Sequence, residues 1–217
     1  MAKSINRVVE ADGAAEIAGL CVGILSIPFN PRVDALVVPP GMGETWRVSA
    51  AVRLWEAHKT HARQLFIAGA NTETEKKPAL TMEALAEPPY ALHRAEGVEV
   101  HDFDENTVTQ TRWVMERMRA HGLQSFGLCV SQYHLVRWYL TFLKTQEKMV
   151  ERFGVYPMPT PISLDKLIPE SGATPWDSVA GEVARIRAYQ VKGDVATLPE
   201  LKIYLAWLWE QPFYQPI

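Results

Sequence analysis

Val33-Asp34-Ala35-Leu36-Val37-Val38-Pro39-Pro40-Gly41-Met42-Gly43-Glu44-Thr45-Trp46-Arg47 is the stretch that decides the fold. An apolar run ends at two prolines, Gly41 and Gly43 follow, and a helical pattern begins at Thr45. A short apolar run bounded in this way reads as a strand buried on both faces. The order is strand, tight loop, helix N-terminus. In open α/β sheets, ligands sit at that junction.

Working outward, Thr45 to Lys59 is helical, with Val48, Ala51, Val52, Leu54 and Trp55 on the buried side. Gln64 to Gly69 reads as a second strand, residues 70–79 as a polar loop, and Leu80 to Ala86 as a short helix stopped by Pro88-Pro89. Gly97 to His101 is a third strand. Asn106-Thr107 opens the next helix, with Thr107 and Gln110 spaced as a capping box. Phe126 to Val130 is a fourth strand, Ser131 fits the cap of the helix through Leu143, and Phe153 to Met158 is a fifth strand. Upstream, residues 8–24 have helical spacing, interrupted at Asp12-Gly13. Beyond Pro161 a loop over 162–176 leads into two helices, Ser178 to Val191 and Leu198 to Trp209. The alternation predicts an α/β fold with a mainly parallel five-stranded sheet, helices on both faces and a C-terminal helical extension. The expected organisation is a lead-in over 1–32, a core over 33–161 and the extension over 162–217.

The 217 residues can bury a sizeable core. A formal net charge of -3 gives no global basic field, so nucleic acid is not an expected partner. Arg112, Arg117 and Arg119 read as a solvated helix face. Cys21 and Cys129 are too few for a disulfide framework or a zinc-ligand set, and they fit a reducing cytosol. The apolar run Ile17 to Phe29 is shorter than the ~20 residues of a membrane helix. It also lacks the basic flank of a signal peptide. The expectation is a soluble, cytoplasmic chain with no membrane partner.

Parallel strands place the loops that follow them on one edge of the sheet. Four groups of polar residues fall there. The first is Gly41, Gly43, Glu44 and Arg47. The second is Gly69, Ala70 and Asn71. The third is Asp102, Asp104, Glu105, Asn106 and Thr107. The fourth is Ser131, Gln132, Tyr133, His134 and Arg137. The two glycines let backbone approach a ligand, and the helix start favours an anion. The full G-x-G-x-x-G pattern is absent, because Trp46 stands where its third glycine would be, and no Walker lysine follows. His134 and Arg137 share a helix face. The histidine can trade a proton near neutral pH, and the arginine can grip a phosphate or carboxylate. Glu105, Asn106 and Thr107 cap a helix and could also touch a ligand. Asp102 and Asp104 could hold a ribose hydroxyl or a metal, or only lie near a helix N-terminus. No set of His, Cys and carboxylates has metal-ligand spacing. Without a G-x-S-x-G elbow, a serine hydrolase is not expected. In the tail, Glu182, Arg185 and Tyr189 form one helical stripe. Trp176, Trp207, Trp209, Phe213 and Tyr214 serve packing, a helical lid over the sheet edge, or a homodimer surface.

Several of these residues carry a family likeness. Ile67-Ala68-Gly69-Ala70, Met82-Glu83-Ala84, Asn106-Thr107 and above all Val130-Ser131-Gln132-Tyr133-His134-Leu135-Val136-Arg137 resemble the DUF218 domain family (YdcF/SanA/ElyC-like) over roughly residues 33–160. The resemblance implies a Rossmann-like fold with a pocket at the strand C-termini, lined by Gly41, Gly43, Arg47, Gly69, Asn106, Thr107, His134 and Arg137. It also implies S-adenosylmethionine, or a related nucleotide, as the cofactor class. Three functions stand as expectations. The first is binding of a small anionic or nucleotide-type ligand. The second is a phosphoryl- or glycosyl-ester transforming enzyme with His134 as acid/base and Arg137 stabilising negative charge. The third is a non-catalytic interaction protein using the aromatic tail.

Overall fold

The computed structural model describes residues 2–41, 43–69, 80–102, 104, 106–149, 151–169 and 171–212, with backbone alone over 2–12. The elements in chain order are α1 (Ala2–Leu25), β1 (Ala35–Val38), α2 (Thr45–Glu56), β2 (Gln64–Ile67), α3 (Met82–Ala86), β3 (Val98–Val100), α4 (Thr107–Ala120), β4 (Ser125–Leu128), α5 (Gln132–Glu147), β5 (Gly154–Pro157), α6 (Pro175–Lys192) and α7 (Leu198–Trp209). The strands form one sheet in the order β3-β2-β1-β4-β5, and every pairing is parallel. This is a Rossmann-like α/β fold.

The chain leaves β1 toward β2 and β3, then crosses back to place β4 on the other side of β1. Right-handed crossovers therefore put α2 and α3 on one face, and α4 and α5 on the other. Aromatic contacts fix the second face. Phe66 of β2 packs on Trp113 of α4 at 5.9 Å, and Phe126 of β4 packs on Phe142 of α5 at 5.0 Å. Val37 is level with both Phe66 and Leu128 across the sheet, so these side chains point the same way. Reversal of strand order at β1/β4 opens a crevice at their carboxyl ends.

The helices flanking the core in sequence share its hydrophobic cluster, through Leu20 and Ile24 of α1 and Leu201, Leu205 and Leu208 of α7. A Cβ at Gly19 would lie 2.9 Å from Leu198 Cδ2, so the missing side chain lets α1 and α7 approach closely. The expected break at Asp12-Gly13 does not occur, because α1 runs through it. Gly13 is again a packing position: a Cβ there would lie 2.6 Å from Nη2 of Arg187 on α6. Among the described residues, no helix is long and apolar enough to cross a membrane.

The start of α4 differs by one residue from the sequence reading. The cap is Asn106, whose Oδ1 accepts from the backbone N–H of Val108 (2.9 Å) and Thr109 (3.2 Å). Thr109 Oγ1 closes the box by accepting from the Asn106 N–H at 3.2 Å. Gln110 is thereby released from capping. It turns inward, and its Nε2 donates to the carbonyl of Ala68 at 2.9 Å and to that of Gly69. An Asn cap contributes about 1 kcal/mol. Asn106→Ala is expected to lower the unfolding free energy by about that amount in urea titration.

Candidate functional site

The crevice at the β1/β4 reversal is built around one buried cation. Arg47, in the first turn of α2, is 0 % exposed. It forms an ion pair with Glu44, three residues earlier and itself buried. Ser131, at the end of the β4–α5 loop, joins both residues: its Oγ donates to Glu44 Oε1 at 2.8 Å and accepts from Arg47 Nε at 2.9 Å. Trp46 Nε1 also donates to Ser131 Oγ, at 3.1 Å. Ser131 thus stands at the cap of α5 without capping it through its side chain. Its hydroxyl is already committed to α2.

Gly41 makes this arrangement possible. Its φ is +64°, and a Cβ there would fall 2.5 Å from Glu44 Oε2 and 2.7 Å from Arg47 Nη1. Gly43, at φ +78°, completes the turn into α2. Both positions need a left-handed backbone that glycine adopts without penalty.

His134 and Arg137 project from the first turns of α5 into the same crevice. The imidazole sits between two guanidinium groups: Arg47 Nη2 lies 3.1 Å from Nδ1, and Arg137 Nη2 contacts Nε2. Burial, then the positive charges of Arg137, Arg47 and Arg185, hold its pKa well below 6.5. It is neutral at pH 7. Arg137 is held from outside the sheet core by Glu182 of α6. Its Nε donates to Glu182 Oε2 at 2.7 Å, and Arg185 Nη1 donates to Glu182 Oε1, also at 2.7 Å. Tyr133 stacks on His134 with centroids 5.8 Å apart, and burial pushes its phenol pKa up.

These groups enclose a cavity of about 350 Å³. Gly41 and Glu44 form one wall, and Tyr133, His134 and Arg137 form a second. Ser178, Glu182 and Arg185 of α6 form a third, with Ile168 and Ser171 from the loop before it. Of the residues expected from sequence, the structure brings together Gly41, Arg47, Ser131, His134 and Arg137, with Gly43 in the adjoining turn. Gly69, Asp102, Asn106 and Thr107 lie farther along the same edge, after β2 and β3. No hydrogen bond or ion pair joins them to the Glu44–Arg47 group among the described residues. Asp102 is exposed, Asn106 caps α4, and the Oδ2 of buried Asp104 accepts from His101 Nδ1 at 2.7 Å. Asn71, Glu105, Met42, Phe213 and Tyr214 lie outside the described residues.

Glu44, Tyr133, Glu182 and Arg185, which the family likeness does not name, also line this cavity. The spacing of Glu44 and Arg47, three apart at a helix start, was the available signal for their pairing. Nothing in the sequence fixes where the Glu182/Arg185 stripe docks. Cys129, just beyond β4, is buried, which raises its thiol pKa to about 12 and keeps it from being a nucleophile at neutral pH. No group of three or more His, Cys, Asp or Glu converges as a metal site among the described residues.

Comparison with protein-family models, with curated proteins and with solved structures returns no match.

Two outcomes follow from the geometry. Gly41→Ala is expected to cost about 1–3 kcal/mol, because it adds both backbone strain and a clash with the buried ion pair; chemical denaturation measures it. His134 titrates in the unfolded chain near 6.5 but only at lower pH in the fold. Between those two values the unfolded state binds the extra proton, so stability falls as pH is lowered through that window. The slope from this one group is at most about 1.4 kcal/mol per pH unit. His134→Gln is expected to flatten the stability–pH curve below 6.5 relative to the parent.

Proposed function

We propose that the switch-point cavity binds a small anionic or nucleotide-type ligand, with its acidic group between Arg137 and Arg185. The observation that carries this reading is an excess of donors. A neutral imidazole accepts at one nitrogen only, yet guanidinium N–H groups face both nitrogens of His134. Arg47 Nη1 is buried and has no hydrogen-bond partner among the described residues. Unmatched buried donors are costly, and an acceptor-rich anion relieves that cost. Arg47, buried behind the wall, offsets Glu44, so Arg137 and Arg185 stand against Glu182 and, with His134 neutral, the site as a whole carries a net positive charge.

Within this class, S-adenosylmethionine is the compound that the DUF218 likeness implies, and membership of that family is part of the proposal. A cavity of about 350 Å³ has the size of a small-ligand site. A second reading, an ester-transforming enzyme, draws support from the depressed His134 pKa. A neutral imidazole at pH 7 is in the form a general base requires. In that reading Arg137 must turn from Nε2 before the ring can take a proton.

The test is a thermal-shift series with S-adenosylmethionine, S-adenosylhomocysteine, adenosine monophosphate and inorganic phosphate. A ligand at about 100 times its Kd adds about 2.7 kcal/mol. For a chain of this length that raises Tm by about 5–10 °C. Arg185→Ala, at an exposed position, and Arg137→Ala are both expected to reduce the shift. No shift with any of these ligands, or an equal shift in both variants, would contradict the reading.

A further inference from the structure

A second cavity, of about 500 Å³, lies along α2 beyond the Glu44–Arg47 pair, toward the C-terminal end of the helix. One wall is a helical stripe of α2, formed by Ala50, Arg53, Leu54 and Ala57. The facing wall is the run that leaves β5, Met158 to Pro161, with Phe29 at the mouth. Phe29 is 50 % exposed although its ring borders other apolar groups. Among the described residues, Arg53 and Lys59 supply the charges on the lining, both positive and both exposed. Thr160, also on the lining, is 3 % exposed, and its Oγ1 has no hydrogen-bond partner among the described residues. A buried hydroxyl without a partner is unfavourable.

We propose that this groove binds a small amphiphile with an apolar body and a single acidic head, the simplest case being a medium-chain alkyl carboxylate. The apolar body lies along Phe29, Leu54, Met158 and Pro161, where burial of each methylene favours binding. The acidic head meets Arg53 and Lys59. A neutral amphiphile would leave that charge uncompensated, and a purely ionic ligand would leave the trough wet. The groove also shares a wall with the Glu44–Arg47–Ser131 group. Thr160 forms a parallel β-bridge with Ser131, and its N–H donates to the Val130 carbonyl at 2.9 Å. An occupant therefore packs against the strand end that holds Ser131. The site is separate from the switch-point cavity, and the proposal does not depend on the function assigned to that cavity.

The experiment is calorimetric titration of the full chain with decanoate, with decanol as the uncharged control. Saturable binding at one site is expected, with a Kd of about 100 µM or tighter, and about tenfold weaker binding of decanol. Arg53→Glu is expected to weaken decanoate binding about tenfold or more. Ala57→Trp, an exposed position that fills the groove, is expected to abolish it while circular dichroism stays native. Arg137→Ala should leave decanoate binding unchanged. The proposal is overturned if binding does not saturate, if decanol binds as well as decanoate, or if natively folded Arg53→Glu and Ala57→Trp bind as the parent does. Loss of binding in Arg137→Ala with retention in Arg53→Glu would place the carboxylate in the other cavity, and would also overturn it.

Discussion

The guanidinium of Arg47 has no contact with solvent, and the site is arranged around that fact. A charge of this kind is tolerated in a protein interior when an opposite charge is paired with it. Glu44 neutralises it, and Ser131 accepts from it while donating to Glu44. The two ends of this group come from loops after β1 and β4, the adjacent strands at which the sheet order reverses. One buried interaction therefore fastens together both lips of the crevice where α/β proteins place ligands. The left-handed turn at Gly41 is part of the same constraint, since any side chain there would occupy the space of the ion pair.

From this hub the polarity spreads outward in order. Arg47 reaches His134, His134 meets Arg137, and Arg137 is held by Glu182, which also holds Arg185. The last two residues belong to α6, a helix beyond the five-stranded core in sequence. The extension thus supplies a wall of the cavity as well as packing. The depressed pKa of His134 is a consequence of the same order: a ring buried among guanidiniums is penalised for taking a proton.

Much of the fold was legible because its signals are local. Apolar runs such as Ala35–Val38 and Phe126–Leu128 are closed by proline, glycine or a capping residue, and their alternation with helical spacing leaves few topologies. The cap of α4 was displaced by one position because Asn106 and Thr107 are both competent caps, and only burial shows that Gln110 is needed by the Ala68 carbonyl. Ser131, His134 and Arg137 were legible because they follow a strand on one helix face. The partners that tune them were not. Glu182 lies 45 residues from Arg137 in sequence, and docking of α6 depends on tertiary packing such as the approach of Arg187 to Gly13. The residues after β2 and β3 share the edge one and two strands away from β1, and among the described residues no hydrogen bond or ion pair joins them to the Glu44–Arg47 group. Strand order sets that distance, and sequence spacing does not encode it.

The central claim is that Glu44 and Arg47 act as one buried unit. A double-mutant cycle with Glu44→Gln and Arg47→Met, read by urea denaturation, tests it most directly. Each single change leaves the other partner buried and uncompensated, at a cost of about 3–5 kcal/mol. The double variant is predicted to lose less than the sum of the two, with a coupling of at least about 2 kcal/mol. Additivity to within about 0.5 kcal/mol would contradict the account.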